Sequence, residues 1–152
     1  MAVQVGDPAP AFELPNQDRE MVSTDALKGR KSLVVFIPFP FTGICEGELC
    51  TLRDNMADLG HMDANVVAIT VHAVPTVKAW ADANHFGFSV LSDYWPHGEV
   101  AKAYGAFNET VGAANRFTYV LDEDGVVRSI ISTESLGIGR EFDEYTKALE
   151  AI

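Results

Sequence analysis

Basic residues are scarce in this sequence. Lysine and arginine together number 11, against 22 aspartates and glutamates, and the formal net charge is −11. Binding to nucleic acid or to an anionic membrane surface depends on clustered basic side chains. We therefore expect neither nucleic acid nor a membrane among the partners of the protein.

Long apolar runs and export signals are also missing. The longest apolar stretch lies around residues 33–37, far short of the roughly 18 residues that a membrane-spanning helix needs. The N-terminal segment has neither the basic residues nor the apolar run of a signal peptide. We therefore expect a cytoplasmic protein. In that reducing compartment its only two cysteines, Cys45 and Cys50, are not expected to form a structural disulfide.

The residues that are present have the composition of a folded domain. Hydrophobic residues make up 47% of the chain and charged residues 22%, a balance that disordered chains lack. The 152 residues match one ordinary domain, and the sequence has no internal repeat, low-complexity tract or linker-like segment. We therefore predict a single domain that spans residues 1–152.

Hydrophobic patterning predicts an alternation of strands and helices. Runs of β-branched residues indicate buried strands, and apolar residues spaced three and four apart indicate amphipathic helices. The predicted strands are 10–15 and 21–23 in an N-terminal hairpin, then 32–37, 65–71, 88–91, 116–121 and 126–131, and the predicted helices begin at Thr42, Pro75, Glu99 and Glu141. This order predicts an α/β fold in three layers, with a mixed central β-sheet and helices on both faces.

Cys45 lies where a buried strand gives way to a helix. Apolar residues recur in steps of four and three from Cys45 to Leu59, so we predict an amphipathic helix with Cys45 in its first turn. The free N–H groups and the dipole at a helix N-terminus favour a thiolate, as a nucleophilic cysteine requires. Thr42 can cap the helix or offer its hydroxyl to a ligand, and Pro38 and Pro40 can shield the sulfur. On its apolar face Cys45 could also be an inert core residue.

The spacing Pro38-x-x-x-Thr42-x-x-Cys45 resembles the active-site signature of the peroxiredoxins. These are thiol peroxidases with a thioredoxin-like fold. The resemblance implies an enzyme that reduces hydrogen peroxide and organic hydroperoxides through a cysteine thiolate. The thiolate becomes a sulfenic acid and is then recycled by thiols.

The resemblance covers nearly the whole chain. Residues 5–14 resemble the N-terminal hairpin of the family, and residues 91–93 and 103–105 resemble later landmarks. Residues 41–49 and 93–98 are especially similar to the actinobacterial alkyl hydroperoxide reductase E group.

The resemblance also implies roles for individual residues. Cys45 would be the peroxidatic nucleophile, Thr42 would donate to and accept from the peroxide, and Pro38 would shield the site. Arg116 would stabilise the thiolate and the charge that develops on the departing oxygen. Glu48 matches a position that orients this arginine. From the residues alone, Glu48 could equally be a solvated helix glutamate and Arg116 an exposed strand arginine.

Cys50 departs from the alkyl hydroperoxide reductase E pattern. The spacing Cys45-x-x-x-x-Cys50 instead resembles the bacterioferritin-comigratory group, in which a cysteine five residues on resolves the sulfenic acid. Five helical residues rise about 7.5 Å and turn about 500°, so the two thiols face different sides of a helix. Because a disulfide needs Cα atoms within about 7 Å, a bridge requires the first helical turns to unwind. Cys50 is therefore either a resolving cysteine or a bystander on the helix flank.

Two other functions are open to a chain with these residues. One is a thioredoxin-like disulfide exchanger, although the sequence lacks a CxxC pair. The other is a non-enzymatic metal-binding or thiol-binding module that uses Cys45 and Cys50. The four histidines are scattered without zinc-ligand spacing, so we expect no metal and no other cofactor. The expected partners are a peroxide substrate and a thiol reductant of the thioredoxin, mycoredoxin or low-molecular-weight type.

Aromatic residues suggest how the protein associates. Phe39, Phe41, Trp80 and Trp95 are large apolar groups for loops and helix flanks, and exposed clusters of this kind usually mark an interface. We therefore expect a homodimer formed around the active site, as the resemblance also implies. Phe39, Phe41, Trp95 and Phe117 could alternatively line a loose pocket for organic peroxides.

Overall fold

The computed structural model describes residues 2–152 and is built around a mixed five-stranded sheet. The strands are β1 (Glu13–Pro15), β2 (Met21–Ser23), β3 (Lys31–Phe36), β4 (Ala64–Thr70), β5 (Ser89–Ser92), β6 (Phe107–Asn108), β7 (Ala113–Ala114), β8 (Phe117–Leu121) and β9 (Val127–Ser132). The helices are α1 (Gly43–Asp54), α2 (Met56–His61), α3 (Val74–Asn84), α4 (Glu99–Tyr104) and α5 (Phe142–Glu150), with a 3-10 helix at Asp25–Leu27.

The central sheet has the strand order β5-β4-β3-β8-β9. Strands β3, β4 and β5 run parallel, while β8 pairs antiparallel with both β3 and β9. Residues 33–37 of the central segment are completely buried, as expected for a strand covered on both faces. The parallel half therefore directs the carboxyl end of β3 toward one edge of the sheet, where ligand sites of open α/β sheets form.

Two hydrophobic cores lie on opposite faces of this sheet. One contains the inward residues of α1, α2, α3 and α5. The other contains those of α4 together with residues from the N-terminal segment. Strands β1 and β2 form a separate antiparallel hairpin. The three-layer sandwich with an N-terminal hairpin that the sequence predicted is therefore confirmed.

The predicted helix from Cys45 to Leu59 is interrupted. Helix α1 ends at Asp54 and α2 begins at Met56, because the backbone leaves the helical region at Asn55, where φ is −112° and ψ is 16°. The Asn55 side chain donates to the carbonyl of Thr51 at 2.7 Å, a local bond that competes with the helical ladder. The apolar spacing continues through the break since both helices pack on the same core.

Other boundaries differ little from those predicted, and the short strands β6 and β7 and the 3-10 helix were not predicted. Within residues 2–152, no helix is both long and apolar enough to cross a membrane.

Candidate active site

Cys45 lies just beyond the carboxyl end of β3. The chain leaves the sheet at Ile37, passes through residues 38–42 and enters α1 at Gly43, so Cys45 is in the first turn of the helix as predicted. Its side chain is fully buried. Phe41, two residues before the start of the helix, has a left-handed φ of 64°, which is uncommon for a residue with a side chain and is often found near functional sites.

Arg116, immediately before β8, reaches the sulfur of Cys45. Its Nη1 donates to Cys45 Sγ at 3.2 Å and to Glu48 Oε1 at 2.6 Å, while its Nε donates to the Leu136 carbonyl at 2.7 Å. The Arg116 and Glu48 side chains are only 4% and 6% exposed. The structure therefore brings Cys45, Arg116 and Glu48 together, and neither Arg116 nor Glu48 is a solvated surface residue.

A second arginine completes this cluster and was not predicted from the sequence. Arg140, which precedes α5, donates its backbone N–H and its Nε to Glu48 Oε2, both at 2.7 Å, and its Nη2 to Oε1 at 2.9 Å. Its Nη1 donates to the Thr118 hydroxyl, which shares a further hydrogen bond with Tyr145. No spacing rule connects Arg140 to Cys45, so only tertiary structure could identify it.

The cluster around Cys45 has an excess of positive charge. Burial alone would raise the pKa of Glu48, but the hydrogen bonds and charge of Arg140, with the charge of Arg116, hold that pKa below its ordinary value. Burial lowers the pKa of Arg140, but the hydrogen bond to Glu48 and the neighbouring negative charges, that of Cys45 among them, together outweigh burial and raise this pKa above its ordinary value. With two arginines and one glutamate buried beside Cys45, the cluster has one more positive charge than negative charges.

Thr42 and Pro38 occupy the loop that precedes α1. The Thr42 hydroxyl donates to the Phe39 carbonyl at 2.6 Å, and it makes no capping bond to the helix, so of its two expected functions capping is not observed. The Thr42 backbone carbonyl accepts from the Glu46 N–H and so begins the helical ladder. Pro38 is buried.

Cys50 lies on a different side of α1, and both cysteines are free thiols in an unbroken helix. The Cys50 sulfur is 3.7 Å from Asn84 Oδ1, a distance typical of a weak S–H donor. The Asn84 carbonyl in turn accepts from Arg53 Nη1 at 2.6 Å. Cys50 is therefore half-buried against α3, away from Arg116.

The two tryptophans do not have the same environment. Trp80 is completely buried in the core, so the expectation that it contributes to an interface is wrong. Trp95 is 82% exposed and is available for such a contact, as is Phe41 at 54%.

The four rings proposed to line a pocket are not in mutual contact. Phe39 packs edge-on against His72, Phe41 lies near Trp80 and Phe117 lies near Tyr119. In residues 2–152, no ring contact joins any two of Phe39, Phe41, Trp95 and Phe117.

A family model agrees with this geometry. Residues 5–130 match the model described as "AhpC/TSA family". The chain belongs to this family of peroxiredoxins. The family that the sequence resembled is thereby confirmed.

Curated and solved proteins give the same result. The peroxiredoxin is 43% identical to "Alkyl hydroperoxide reductase E" of Mycobacterium tuberculosis over 151 residues, 99% of this chain and 98% of that protein. It is 30% identical to "Peroxiredoxin Bcp" of Escherichia coli over 134 residues, 84% of this chain and 85% of that protein. The crystal structure of Enterococcus faecalis AhpC superposes with a TM-score of 0.89 at 27% identity and covers 99% of this chain and 92% of that chain. The protein is accordingly a thiol-dependent peroxidase.

Proposed function

We propose that Cys45 is the nucleophile of this peroxidase. Its thiolate attacks one oxygen of a hydroperoxide, the O–O bond breaks, and the other oxygen leaves as water or an alcohol after it takes up a proton. Cys45 is oxidised to the sulfenic acid and the peroxide is reduced. The observation that carries this proposal is the buried contact of 3.2 Å between Arg116 Nη1 and Cys45 Sγ.

Arg116 and Thr42 supply the donors for this reaction in our proposal. Peroxide cleavage concentrates negative charge on the departing oxygen, and donors fixed in advance around that charge lower the barrier. Arg116 is fixed through Glu48 and the Leu136 carbonyl, and it stabilises both the thiolate and the transition state. Thr42 contributes its hydroxyl at the entrance to the helix, where Pro38 limits the access of water to the sulfur.

Glu48 and Arg140 are positioning residues in the same scheme. Glu48 accepts hydrogen bonds from both arginines and fixes the planar guanidinium of Arg116 in one orientation. Arg140 keeps Glu48 ionised and in place. Neither residue needs to touch the peroxide.

A single-turnover experiment tests the assignment of Cys45. Reduced protein is mixed with one equivalent of hydrogen peroxide, and the peroxide that is consumed is measured against time. We expect rapid consumption by the wild type and by Cys50→Ser, and none above the uncatalysed rate by Cys45→Ser. Consumption by Cys45→Ser at the wild-type rate would overturn the assignment.

We also propose that Cys50 resolves the sulfenic acid. The sulfur of Cys50 attacks that of Cys45 and forms an internal disulfide. The hydroxyl leaves with the Cys50 proton as water, so Cys45 is reduced and Cys50 is oxidised. This proposal is supported by the position of Cys50, a free thiol five residues after Cys45 on the same helix, where local unwinding of that helix can bring the two sulfurs together. An intact-mass measurement should show a loss of about 2 Da in the oxidised wild type and a persistent gain of about 16 Da in Cys50→Ser.

The substrate and reductant follow from the same chemistry. Hydrogen peroxide and organic hydroperoxides both present the O–O bond that Cys45 attacks. An external thiol of the thioredoxin, mycoredoxin or low-molecular-weight type then reduces the internal disulfide. Rates of recycling with each of these three donors would identify the reductant.

A homodimer that buries Phe41 and Trp95 is our proposal for the assembly. Tyr94 and Ile44 are further exposed apolar residues of the loops and helix start around the site. Light scattering at high concentration should give twice the mass of 16.5 kDa, and only the single-chain mass would contradict the proposal. The cytoplasmic location stays a prediction.

A further inference from the structure

The first turn of α1 receives little stability from its own sequence. Glycine, among the least favourable residues in a helix, occupies both ends of this turn, at Gly43 and Gly47. The first amides of a helix have no acceptor within it, and the ladder starts only with the Glu46 N–H, which donates to the Thr42 carbonyl. The turn that contains Cys45 therefore depends on contacts from outside the helix.

One side-chain hydrogen bond ties this turn to α3. Trp80 donates its indole N–H to Glu46 Oε1 at 3.0 Å. The indole is completely buried and Glu46 is half-buried, so the bond is partly shielded from water. The centre of the indole also lies 6.4 Å from that of the Phe41 ring. Trp80 thus contacts the chain on both sides of the start of the helix.

The next turn of α1 is held much more firmly. Glu48 accepts four hydrogen bonds from two buried arginines. Leu49 and Leu52 are buried in the core. Unwinding at the N-terminal end of α1 would therefore stop at Gly47, and Cys45 is the only cysteine within residues 43–47.

We propose that the hydrogen bond between Trp80 and Glu46 is a latch that controls the unwinding of residues 43–47 and so sets the rate at which Cys50 reaches Cys45. This inference rests on the proposed resolving role of Cys50. While the latch is closed, the sulfenic acid stays in the folded site and Cys50 does not reach it. When the latch opens, the Cys50 sulfur attacks the sulfenic acid of Cys45, the disulfide forms and water leaves.

Hydrogen exchange tests the latch in the reduced protein. The variants are Glu46→Ala, Trp80→Phe and the double variant, with Glu46→Gln to retain an acceptor oxygen and Asp58→Ala as a control carboxylate in α2. Alanine is a better helix former than glutamate, so faster exchange in Glu46→Ala cannot reflect helix propensity. We expect the backbone amides at positions 46 and 47 to exchange about tenfold faster in both single variants, and no faster still in the double variant. Exchange in Asp58→Ala should equal that of the wild type.

The consequence for resolution is measured by acid-quenched intact masses after one equivalent of peroxide. We expect the oxygen adduct to form at the wild-type rate and to convert to the disulfide about tenfold faster in Glu46→Ala and Trp80→Phe. Unchanged amide exchange in Glu46→Ala would overturn the latch, whether or not the disulfide forms. A second outcome is faster amide exchange in Glu46→Ala together with an oxygen adduct that persists in the wild type and in every variant. That result would overturn the resolving role of Cys50 and, with it, the control of resolution by the latch.

Discussion

The two cysteines lie on one helix, five residues apart, in surroundings of different kinds. Cys45 contacts a buried guanidinium whose orientation is fixed by a buried carboxylate. Cys50 contacts the side-chain amide oxygen of Asn84, a neutral acceptor. The comparison teaches that tertiary contacts give each thiol its own surroundings, because α1 is common to both.

Replacing each cysteine in turn with serine should give the largest difference in the rate of peroxide consumption. Cys45→Ser should lower the rate of peroxide consumption by at least about 10⁴-fold, since the nucleophile is lost, whereas Cys50→Ser should stay within about twofold of the wild type. Stopped-flow measurement of the first turnover checks both values. Equal losses in the two variants would remove the distinction between the thiols.

Neutralising the Glu48 carboxylate beside Cys45 should lower the stability of the protein. Glu48→Gln removes the carboxylate that pairs with two buried arginines, so we expect the free energy of unfolding to fall by about 3–5 kcal/mol at pH 7. The exposed Glu109→Gln should change it by less than about 0.5 kcal/mol. Urea denaturation of the three proteins gives these values.

The same variant should change the pH dependence of stability. Because folding lowers the pKa of Glu48, its ionised form stabilises the protein fully above the ordinary value of 4.5, and this stabilisation is lost as the pH falls through the lowered pKa. Wild type should therefore lose stability on acidification below 4.5 more steeply than Glu48→Gln. Parallel curves for the two proteins would contradict this account of the cluster.

Removing the guanidinium should slow the reaction without unfolding the protein. Arg116→Ala deletes a donor aimed at the sulfur, so we expect the first-turnover rate to fall about 10²–10³-fold. Arg128→Ala on β9 is the matched control, because its exposed arginine pairs with Asp122 far from the helix, and its rate should not change. Circular dichroism should give the wild-type spectrum for both variants.

Removing the Thr42 hydroxyl should slow the first turnover less than removing Arg116 does, but more than a matched control substitution does. Thr42→Val keeps the shape of the side chain, and we expect a loss of about 10²-fold in the first-turnover rate. Thr51→Val is matched to it, since the Thr51 hydroxyl also donates to a carbonyl, that of Gly47, on the same helix. A rate for Thr42→Val equal to that of Thr51→Val would show that the loop hydroxyl takes no part.

The smallest effect on the reaction with peroxide is expected from a substitution beside Cys50. Asn84→Ala removes the polar neighbour of Cys50, and we expect the first-turnover rate to stay within about twofold of wild type because this end of α1 does not activate a thiol. A tenfold fall in the first-turnover rate, measured by the same stopped-flow method, would mean that the surroundings of Cys50 affect the reaction of Cys45 with peroxide.

Local patterns were sufficient to predict most of the fold. The β-branched run of β3 and the apolar spacing of α1 are short-range signals, and the structure follows both. The break at Asn55 was not predicted, because the apolar period continues across it and only the backbone angles of this one residue depart from the helix.

The site was only partly predictable. Cys45, Thr42 and Pro38 have a fixed spacing within one segment, so sequence alone could place them together. Arg140 is 92 residues from Glu48 and belongs to no local motif, and its role depends on where the chain before α5 returns to the sheet. Trp80 was wrong only as an interface residue, because it lies on the buried face of α3 together with Val77 and Ala81.

Trapping the oxidised sulfur tests the central claim most directly. Reduced protein is mixed with one equivalent of hydrogen peroxide in the presence of dimedone, which captures sulfenic acids. A tandem mass spectrum then shows whether the adduct is on Cys45 or on Cys50. The account predicts an adduct on Cys45 alone, stronger in Cys50→Ser because no internal thiol then competes for the sulfenic acid. An adduct on Cys50, or an adduct that survives in Cys45→Ser, would contradict it.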